Sequence, residues 1–324
     1  MAANIDEQLN MYLMDAHAIE LQALEQVKRA PKIAGDPELA EAFSEHVSET
    51  ERHRLYVEDR LLARGFSTGV PHKDVSAKVT GVGMALFAKF QPDTPVKLTA
   101  HAFSYEHMEL AAYELLELVA ERAGDEATVE TARMIAAEEN AMAQRLAGGF
   151  DKAVEAGLRE LEPDDISKQL TTYLADVHAI EAQAERLLKS APKMAEAEHL
   201  STAFEEHLVQ TRHHAELVEA RLSARDASPS TLKDAALRLG ALNLGMFLAS
   251  QQDTPAKLAG FAYAFEHLEI AAYEMLRRVA SRADDDATAA IAYEILAQER
   301  AAAAKIRGLF GEAMQASLEQ TATI

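Results

Sequence analysis

The stretch Phe103–Leu116, FSYEHMELAAYELL, has the composition of a buried helix, yet it carries Glu-His-x-Glu inside its apolar run. The stretch Tyr263–Leu276, YAFEHLEIAAYEML, has the same arrangement. Ala, Leu, Ile, Met and Tyr fill most of the other positions, and ionised carboxylates are costly to bury among such side chains unless another charge offsets them. The two stretches therefore predict helical units, each with a polar site in its core.

The rest of the second half also repeats the first half. TYLADVHAIEAQA starts at residue 172 and MYLMDAHAIELQA at residue 11, so this shift is 161 positions. Units of this length can each bury a core, which indicates a duplicated domain rather than a solenoid of small repeats. We predict a first unit at 1–158 and a second unit at 165–324, with the linker near Leu158–Ser167.

Apolar residues in each unit recur at steps of three and four, and no sustained alternation typical of strands occurs. Asp-Pro and Asp-Thr-Pro sequences add signals for helix starts. The pattern predicts four long helices in each unit, near 5–30, 37–64, 95–122 and 126–155, and near 165–190, 197–224, 255–282 and 286–318.

About thirty residues separate the second and third predicted helices of each unit, and they include a short apolar helix. A connection of that length lets these two helices run parallel, whereas the short loops elsewhere make neighbouring helices antiparallel. The predicted fold class is therefore all-α, with tandem duplicated ferritin-like four-helix bundles and a long crossover between helices 2 and 3.

The composition excludes several classes of site and partner. The 324 residues include no cysteine, which excludes disulfides, thiolate metal sites and iron–sulfur clusters. The formal net charge of -21 would repel a phosphate backbone or an anionic membrane surface, so we expect no nucleic acid and no membrane as partner. The start, MAANIDEQLN, lacks a basic segment followed by an apolar one. These features predict a cytoplasmic protein whose favoured binding partners are small cations.

Polar side chains that could bind a metal fall on the core-facing stripes of all four predicted helices in each unit. In the first unit they are Glu20 on helix one, His46, Glu49 and His53 on helix two, Glu106 and Glu109 on helix three, and Glu138 and Glu139 on helix four. In the second unit the matching residues are Glu181, His207, Gln210, His214, Glu266, Glu269, Gln298 and Glu299.

Several carboxylates in one bundle core would repel one another unless cations or protons offset their charge. Hard metal ions take carboxylate oxygen and imidazole nitrogen, and carboxylates from neighbouring helices can bridge two ions. Any single glutamate could instead be solvated, because the chain has 53 Asp and Glu residues. His46 and His53 could equally be half-buried and hydrogen-bonded to a carboxylate. The joint placement in two copies favours a metal site, with iron or manganese as the cofactor.

The motifs YLMDAHAIELQ, AFSEHVSETERH and DTPVKL…YEHMELAAYE, with the Glu-Glu pair of helix four, resemble those of bacterial ferritin-like stress proteins of the YciF type. The resemblance covers nearly all of each unit, and the helix-three motif is its most specific part. It implies a carboxylate-bridged di-metal centre, a dimeric assembly and expression under stress. The ligand roles that it implies fall on Glu20, Glu49, His53, Glu106, Glu109 and Glu139, and in the second unit on Glu181, His214, Glu266, Glu269 and Glu299.

The sequence departs from the family pattern in two ways. Helix four of a ferritin-like bundle usually carries Glu-x-x-His, but Met142 stands three residues after Glu139, and the helix-two pair is Glu-x-x-x-His. In the second unit Gln210 and Gln298 replace two glutamates, and neutral amides bind hard cations weakly. We therefore predict that metal favours the first unit, and that the second, partly degenerate site holds one loosely bound ion, water or protons.

Two hypotheses for the function follow. The first is a di-metal protein in which iron or manganese reacts with oxygen or peroxide, so that an oxidase or peroxidase activity would fit it. The alternative is a non-catalytic structural or stress protein without bound metal. Iron storage is less favoured, because a fused pair suits a small closed assembly better than a many-subunit shell. We expect the two units to be related by a pseudo-twofold axis, as an intramolecular mimic of a dimer.

Overall fold

The structure is a computed structural model that describes residues 5–66, 95–229 and 253–322, and within these ranges it is all-helical, with no β-strand. The first unit comprises α1 (Ile5–Val27), α2 (Ala30–Ile33), α3 (Pro37–Ala63), α4 (Pro95–Ala123), α5 (Glu126–Gly148) and α6 (Phe150–Leu158). The second unit comprises α7 (Pro163–Ala195), α8 (Glu198–Ser223), α9 (Thr254–Arg282), α10 (Asp286–Gly308) and α11 (Phe310–Ala322). The predicted fold class, tandem ferritin-like helical bundles, is confirmed. The short helices predicted inside the crossovers lie outside the described residues.

Aspartate caps fix the starts of α3, α5 and α10. The carboxylate of Asp36 accepts hydrogen bonds from the backbone N–H groups of Glu38 (2.9 Å) and Leu39 (3.1 Å) at the start of α3. Asp125 caps α5 in the same way, accepting from the N–H of Thr128 at 3.1 Å. Such caps satisfy N–H groups that have no partner within the helix. They fix where each helix starts, and thereby which of its side chains face inward.

Contacts at one end of the first bundle give the directions of its helices. Arg64, just after α3, donates to Asp6 (2.8 Å) in the first turn of α1 and to Asp125 (3.0 Å) just before α5. Helix α3 therefore runs antiparallel to both α1 and α5. A short turn at Gly124 joins α4 to α5, which are also antiparallel, so α3 and α4 run parallel. This order of directions requires the long crossover of ferritin-like bundles.

Predicted helix one of the first unit is divided in two at Val27, and predicted helix four is divided in both units, at Gly149 and at Leu309. At Gly149 a Cβ atom would lie 2.5 Å from Leu39 Cδ2. Leu39 of α3 therefore crowds this position, but a glycine is not what divides the helix, because Leu309 is at the same break in the second unit. In the second unit helix one is undivided, and as α7 it continues to Ala195, beyond its predicted end.

Helix three of each unit forms the contact between the units. Helices α4 and α9 pack against each other, and one hydrophobic core runs through both units. His107 and His267 stack with their ring centroids 3.5 Å apart. The surrounding ring contacts are exchanged, since Phe103 lies 5.7 Å from the ring of His267 and Tyr263 lies 5.8 Å from the ring of His107. A twofold axis produces such exchanged contacts.

Candidate metal centre

Buried carboxylates and imidazoles from four helices converge in the first unit. One group consists of His46, Glu106, Glu109 and Glu139, and a second group consists of Glu20, His53 and Glu139. Within each group, one ligand atom from each residue lies within 4.8 Å of the others. We refer to them as the His46 position and the His53 position. They share Glu139, and a shared carboxylate is the arrangement that bridges two ions.

Helical spacing places the two histidines in the two positions. His46 and His53 are seven residues apart, close to two turns of α3, so both project from the same face. Both are almost fully buried. Between them, the hydroxyl of Thr50 donates to the backbone oxygen of His46 at 2.9 Å, which satisfies the polar group that shares this face. One face of α3 thus supplies a nitrogen atom to each position.

The distances inside each position suit the ligands of one ion. His53 Nδ1 lies 2.7 Å from Glu139 Oε1 and 3.9 Å from Glu20 Oε1. His46 Nε2 lies 3.2 Å from Glu106 Oε2 and 3.7 Å from Glu139 Oε2. Atoms bound about 2.1 Å from one ion at right angles are roughly 3 Å apart. The spacing of these nitrogen and oxygen atoms is therefore that of a ligand set.

Many polar atoms in the two positions have no hydrogen-bond partner. They are both carboxylate oxygens of Glu109 and of Glu139, one oxygen each of Glu20 and Glu106, and His53 Nδ1. His53 Nδ1 and Glu139 Oε1 are close, but their geometry is not that of a hydrogen bond. Buried carboxylate oxygens are stable only beside a group that supplies positive charge or protons. Iron and manganese accept oxygen and imidazole donors, so these residues fit a pair of such ions.

Burial raises the pKa of most carboxyl groups in the cluster. It raises the pKa of Glu20 to about 8, and the neighbouring Glu139 carboxylate adds to the effect. Burial also raises the pKa of Glu106 to about 7 and that of Glu109 well above its usual value. Burial alone would raise the pKa of Glu139 too, but the neighbouring histidines lower it overall. Glu139 is therefore the carboxylate that stays ionised most readily, at the centre of the cluster.

The carboxylates in turn hold the histidines in the charged form. Burial alone would lower the pKa of His53, but Glu139 and Glu20 raise it to about 9. Burial likewise opposes the charge on His46, and Glu106 raises the pKa of this histidine well above its usual value. Near neutral pH these shifts favour bound protons on Glu20, on Glu109 and on both imidazoles. Because metal ligands must be deprotonated, metal binding here would release protons.

A buried tyrosine orients one of these carboxylates. Tyr113, on α4, is fully buried and donates its hydroxyl hydrogen to Glu20 Oε1, while Glu20 Oε2 has no hydrogen-bond partner. Tyr273 donates in the same way to Glu181 Oε1 at 2.5 Å. Outer hydrogen bonds of this kind fix the orientation of metal ligands. The tyrosine therefore holds the carboxylate of Glu20 in one orientation and leaves its second oxygen without a hydrogen-bond partner.

The second unit repeats both positions with the same residue types. One group consists of His207, Glu266, Glu269 and Glu299, and the other consists of Glu181, His214 and Glu299. His214 Nδ1 is 2.8 Å from Glu299 Oε1, and His207 Nε2 is 2.9 Å from Glu266 Oε2. The carboxylate oxygens without hydrogen-bond partners are also the same as in the first unit. Both units therefore offer the same set of buried donors.

Two acidic residues expected to face the core instead contact the histidines, at the ring nitrogen that is not part of a ligand group. The structure places Glu49, a predicted ligand, outside both groups, where its Oε2 accepts from His46 Nδ1 (3.1 Å) and from Arg145 Nη2 (2.8 Å). Glu138 Oε2 lies 2.7 Å from His53 Nε2, on the side of the ring away from the cluster. Both carboxylates thus contact a candidate ligand rather than forming part of a ligand group.

Gln210 and Gln298 take the same outer places in the second unit. Gln210 Oε1 is 3.1 Å from His207 Nδ1, and Gln298 Oε1 is 3.1 Å from His214 Nε2. The prediction of a weaker second site takes these glutamines as replacements for two ligands. Both glutamines instead lie against ring nitrogens, in the places that Glu49 and Glu138 take in the first unit, so they do not correspond to donors of the two groups, and the relative strength of the two sites stays a prediction. The exchange of Glu for Gln changes what the histidines contact and leaves the donor set intact.

His46 and His207 are among the polar side chains that could bind a metal but not among the ligands that the resemblance implies, although each lies in a group of four. Their exposed fractions are 2% and 3%, so both belong to the core. The signal that could have identified them is the duplication itself. This histidine is present in both copies, whereas the neighbouring Glu49 is replaced by Gln210.

Comparison with known proteins gives a match that follows the duplication. The family model described as "Domain of unknown function (DUF892)" matches residues 4–159 and, in a second segment, residues 165–319. Each segment contains one full set of the buried donors. No solved structure matches the chain. Among the described residues, no helix is both long enough and apolar enough to cross a membrane.

Proposed function

The chain belongs to the DUF892 family along both of its halves, and from the buried groups that the halves share we propose that each unit binds a pair of iron or manganese ions. One ion of each pair would bind at the His46 position or its counterpart, and the other at the His53 position or its counterpart. The ligands would be Glu20, His46, His53, Glu106, Glu109 and Glu139, and Glu181, His207, His214, Glu266, Glu269 and Glu299.

The observation that carries this proposal is the shared, unpartnered carboxylate. Glu139 is 0% exposed, it belongs to both groups, and neither of its oxygens has a hydrogen-bond partner. An ionised carboxylate in that setting is best stabilised by a cation on each side. Glu299 has the same exposure and the same unpartnered oxygens in the second unit. One such residue could be accidental, but its recurrence makes a common role the simpler explanation.

Bound iron or manganese would supply one-electron chemistry toward oxygen or peroxide. The chain's own part is to hold the ions and keep water away from them: the core around the site is apolar, and the hydroxyl of Tyr113 fixes the orientation of the Glu20 carboxylate. The acids and imidazoles would pass their protons to solvent as metal binds. We propose oxygen, peroxide or metal handling in the cytoplasm, under stress, as the function that fits this chemistry and the resemblance to ferritin-like stress proteins.

The metal content of purified full-length protein tests this proposal. We expect four ions per chain from cells supplied with iron and manganese, as measured by mass spectrometry. Glu139→Ala should remove the ions of the first unit, and Glu299→Ala those of the second unit. Glu130→Ala changes an exposed glutamate on α5 and should change nothing. Metal content unaffected by both buried substitutions, in protein that is still folded, would contradict the proposal.

The alternative function, a metal-free structural bundle, predicts a different response to chelators. A ligand that binds only the folded state raises its stability by mass action. We therefore expect the melting temperature to fall when metal is removed and to return when Mn(II) is added. A metal-free structural protein would show the same melting temperature throughout, and the unpartnered oxygens of Glu109 would then need protons as their partners.

The exchanged contacts between α4 and α9 support a further part of the proposal, that one chain is equivalent to a dimer of single units. Such a chain needs no partner to bury the helix-three surface. We therefore expect light scattering to give a monomer or another small closed assembly. A many-subunit shell would instead favour iron storage.

A further inference from the structure

The two proposed centres have the same ligands, but different side chains contact their histidines. Each histidine has an inner ring nitrogen in a ligand group and an outer ring nitrogen that contacts Glu in the first unit and Gln in the second. In the first unit both outer ring nitrogens lie against carboxylate oxygens, at 3.1 Å for His46 and 2.7 Å for His53. In the second unit both outer nitrogens lie against side-chain amide oxygens, at 3.1 Å for His207 and for His214. The difference is thus systematic, since it affects both histidines of each unit.

A carboxylate and an amide act differently on a metal-bound histidine. An anionic acceptor draws the outer N–H proton toward itself and increases electron donation from the inner nitrogen, whereas a neutral amide does so less. A carboxylate also only accepts hydrogen bonds, so it fixes the proton on the outer nitrogen and leaves the inner one free for metal. A glutamine amide can turn and donate, so it does not fix the tautomer.

Neighbouring arginines reduce this difference without removing it. Arg145 Nη2 lies 2.8 Å from Glu49, and Arg52 Nη2 lies 3.2 Å from Glu138. Both guanidinium groups are partly exposed, so solvent screens their charge, while each histidine contact is made by a buried imidazole. The arginines cancel much of the long-range charge, but the carboxylate remains the acceptor at the ring nitrogen.

We propose that Glu49 and Glu138 in the first unit, and Gln210 and Gln298 in the second, act as positioning residues that give the two centres of one chain different metal affinities and reduction potentials. This inference rests on the proposed function. The first centre binds divalent metal more tightly and has the lower reduction potential, because stronger donation favours the higher oxidation state. The second centre gives up its ions more easily and is the stronger oxidant.

The size of the effect follows from other metal sites. Changing an outer hydrogen-bond partner of a ligand typically alters metal affinity 10- to 100-fold, so we expect at least about that difference between the centres. A tenfold change in the relative binding of two oxidation states shifts a one-electron potential by about 59 mV. Both differences are within the range of ordinary titrations.

Exchange of the outer residues in the full-length chain tests the inference. Glu49→Gln with Glu138→Gln makes the first unit resemble the second, and Gln210→Glu with Gln298→Glu does the reverse. Glu45→Gln is the matched control, because Glu45 pairs with Arg145 at 3.1 Å but does not contact a histidine. Equilibrium dialysis of metal-free protein against Mn(II) gives the number and affinity of sites, and potentiometric titration of iron-loaded protein gives the potentials.

We expect the unaltered chain and the Glu45→Gln control to show two classes of Mn(II) site, about 10- to 100-fold apart in affinity, and two potentials. The first double variant should lose the tight class and the lower potential, and the second should lose the weak class and the higher potential. A single class in the unaltered chain, or two classes that neither exchange moves, would overturn the inference while leaving the proposed metal binding intact. Folded protein that binds no Mn(II) would overturn both.

Discussion

The carboxylate of Glu20 has one oxygen bonded to Tyr113 and one without a hydrogen-bond partner. Replacing Tyr113 with phenylalanine keeps the ring in the core and removes only the hydroxyl. Without this donor Glu20 would turn more freely, so we expect Mn(II) affinity in the first unit to fall about 10- to 100-fold. The loss of one buried hydrogen bond should cost about 1 kcal/mol of stability. Dialysis and thermal melting measure the two effects.

The matched variant for this test is Tyr273→Phe, because Tyr273 makes the same bond to Glu181 in the second unit. It should weaken only the second pair of sites. If neither substitution changed Mn(II) affinity, the tyrosines would be packing residues and the orientation of the two carboxylates would have another cause.

His46 and Glu49 show which part of the site the sequence does not predict, namely which side chains at the edge of the polar stripe of α3 enter the core. At 3.6 residues per turn, Glu49 lies about 90° around α3 from the centre of its buried face, while His46 lies within about 30° of that centre. The centre is defined by Leu39, Phe43, His46, Thr50, His53, Val57 and Leu61. The sequence predicts a polar stripe turned inward, but which residue at its edge enters the core depends on the angle at which α3 packs.

Among the helices, α5 offers the clearest test of how a capping aspartate and its ion pairs stabilise a helix in the bundle. Asp125 caps it and also accepts from Arg60 Nη2 (2.8 Å) and Arg64 Nη1 (3.0 Å), both at the C-terminal end of α3. Burial alone would raise the pKa of Asp125, but the Thr128 and arginine hydrogen bonds lower it below its usual 3.8. A lowered pKa contributes stability that is present above pH 3.8 and is lost as pH falls through the folded-state value.

We therefore expect Asp125→Asn to be less stable than the unaltered chain by about 1–2 kcal/mol at pH 7. The deficit should stay constant down to about pH 5 and shrink below the usual pKa of 3.8, because the unaltered carboxyl then also takes up a proton. Calorimetry from pH 7 to pH 3 measures this. Asp59→Asn changes an exposed aspartate on α3 and should show no deficit. A deficit for Asp125→Asn that grew toward low pH would contradict the argument.

At the scale of helices, the starts were more predictable than the ends. The Asp36 and Asp125 caps are local, so sequence alone places them. Helix four is divided at Gly149 in the first unit and at Leu309 in the second, and a helix pattern that continues past both positions gives no sign of the division.

For the whole molecule, a close contact between α4 and α9 is a test of the core that the two units share. A Cβ at Gly260 on α9 would lie 3.1 Å from Leu115 Cδ1 and 3.6 Å from Ala111 Cβ on α4. Gly260→Leu should overpack this contact and destabilise the chain by about 1–3 kcal/mol, as measured by denaturant unfolding of metal-free protein. Gly308→Leu is the control, because nothing lies within 4 Å of a Cβ there. Equal effects of the two substitutions would mean that α4 and α9 do not pack closely.

The duplication was predictable because the same motifs recur at shifts of 160 and 161 positions. The helical bundles were predictable because apolar residues recur at steps of three and four. The pairing surface was not. The stack of His107 on His267 lies in the same Glu-His-x-Glu motif as the metal candidates, and the sequence does not reveal which of these side chains face the other unit.

The central claim is that each unit binds two ions that share one buried carboxylate. Anomalous scattering at the iron or manganese edge, from crystals of full-length protein loaded with that metal, tests it most directly. We predict four peaks per chain: one pair about 3.5–4 Å apart around Glu139, and a second such pair around Glu299. Peaks confined to surface carboxylates, or one peak per unit away from Glu139 and Glu299, would contradict the claim.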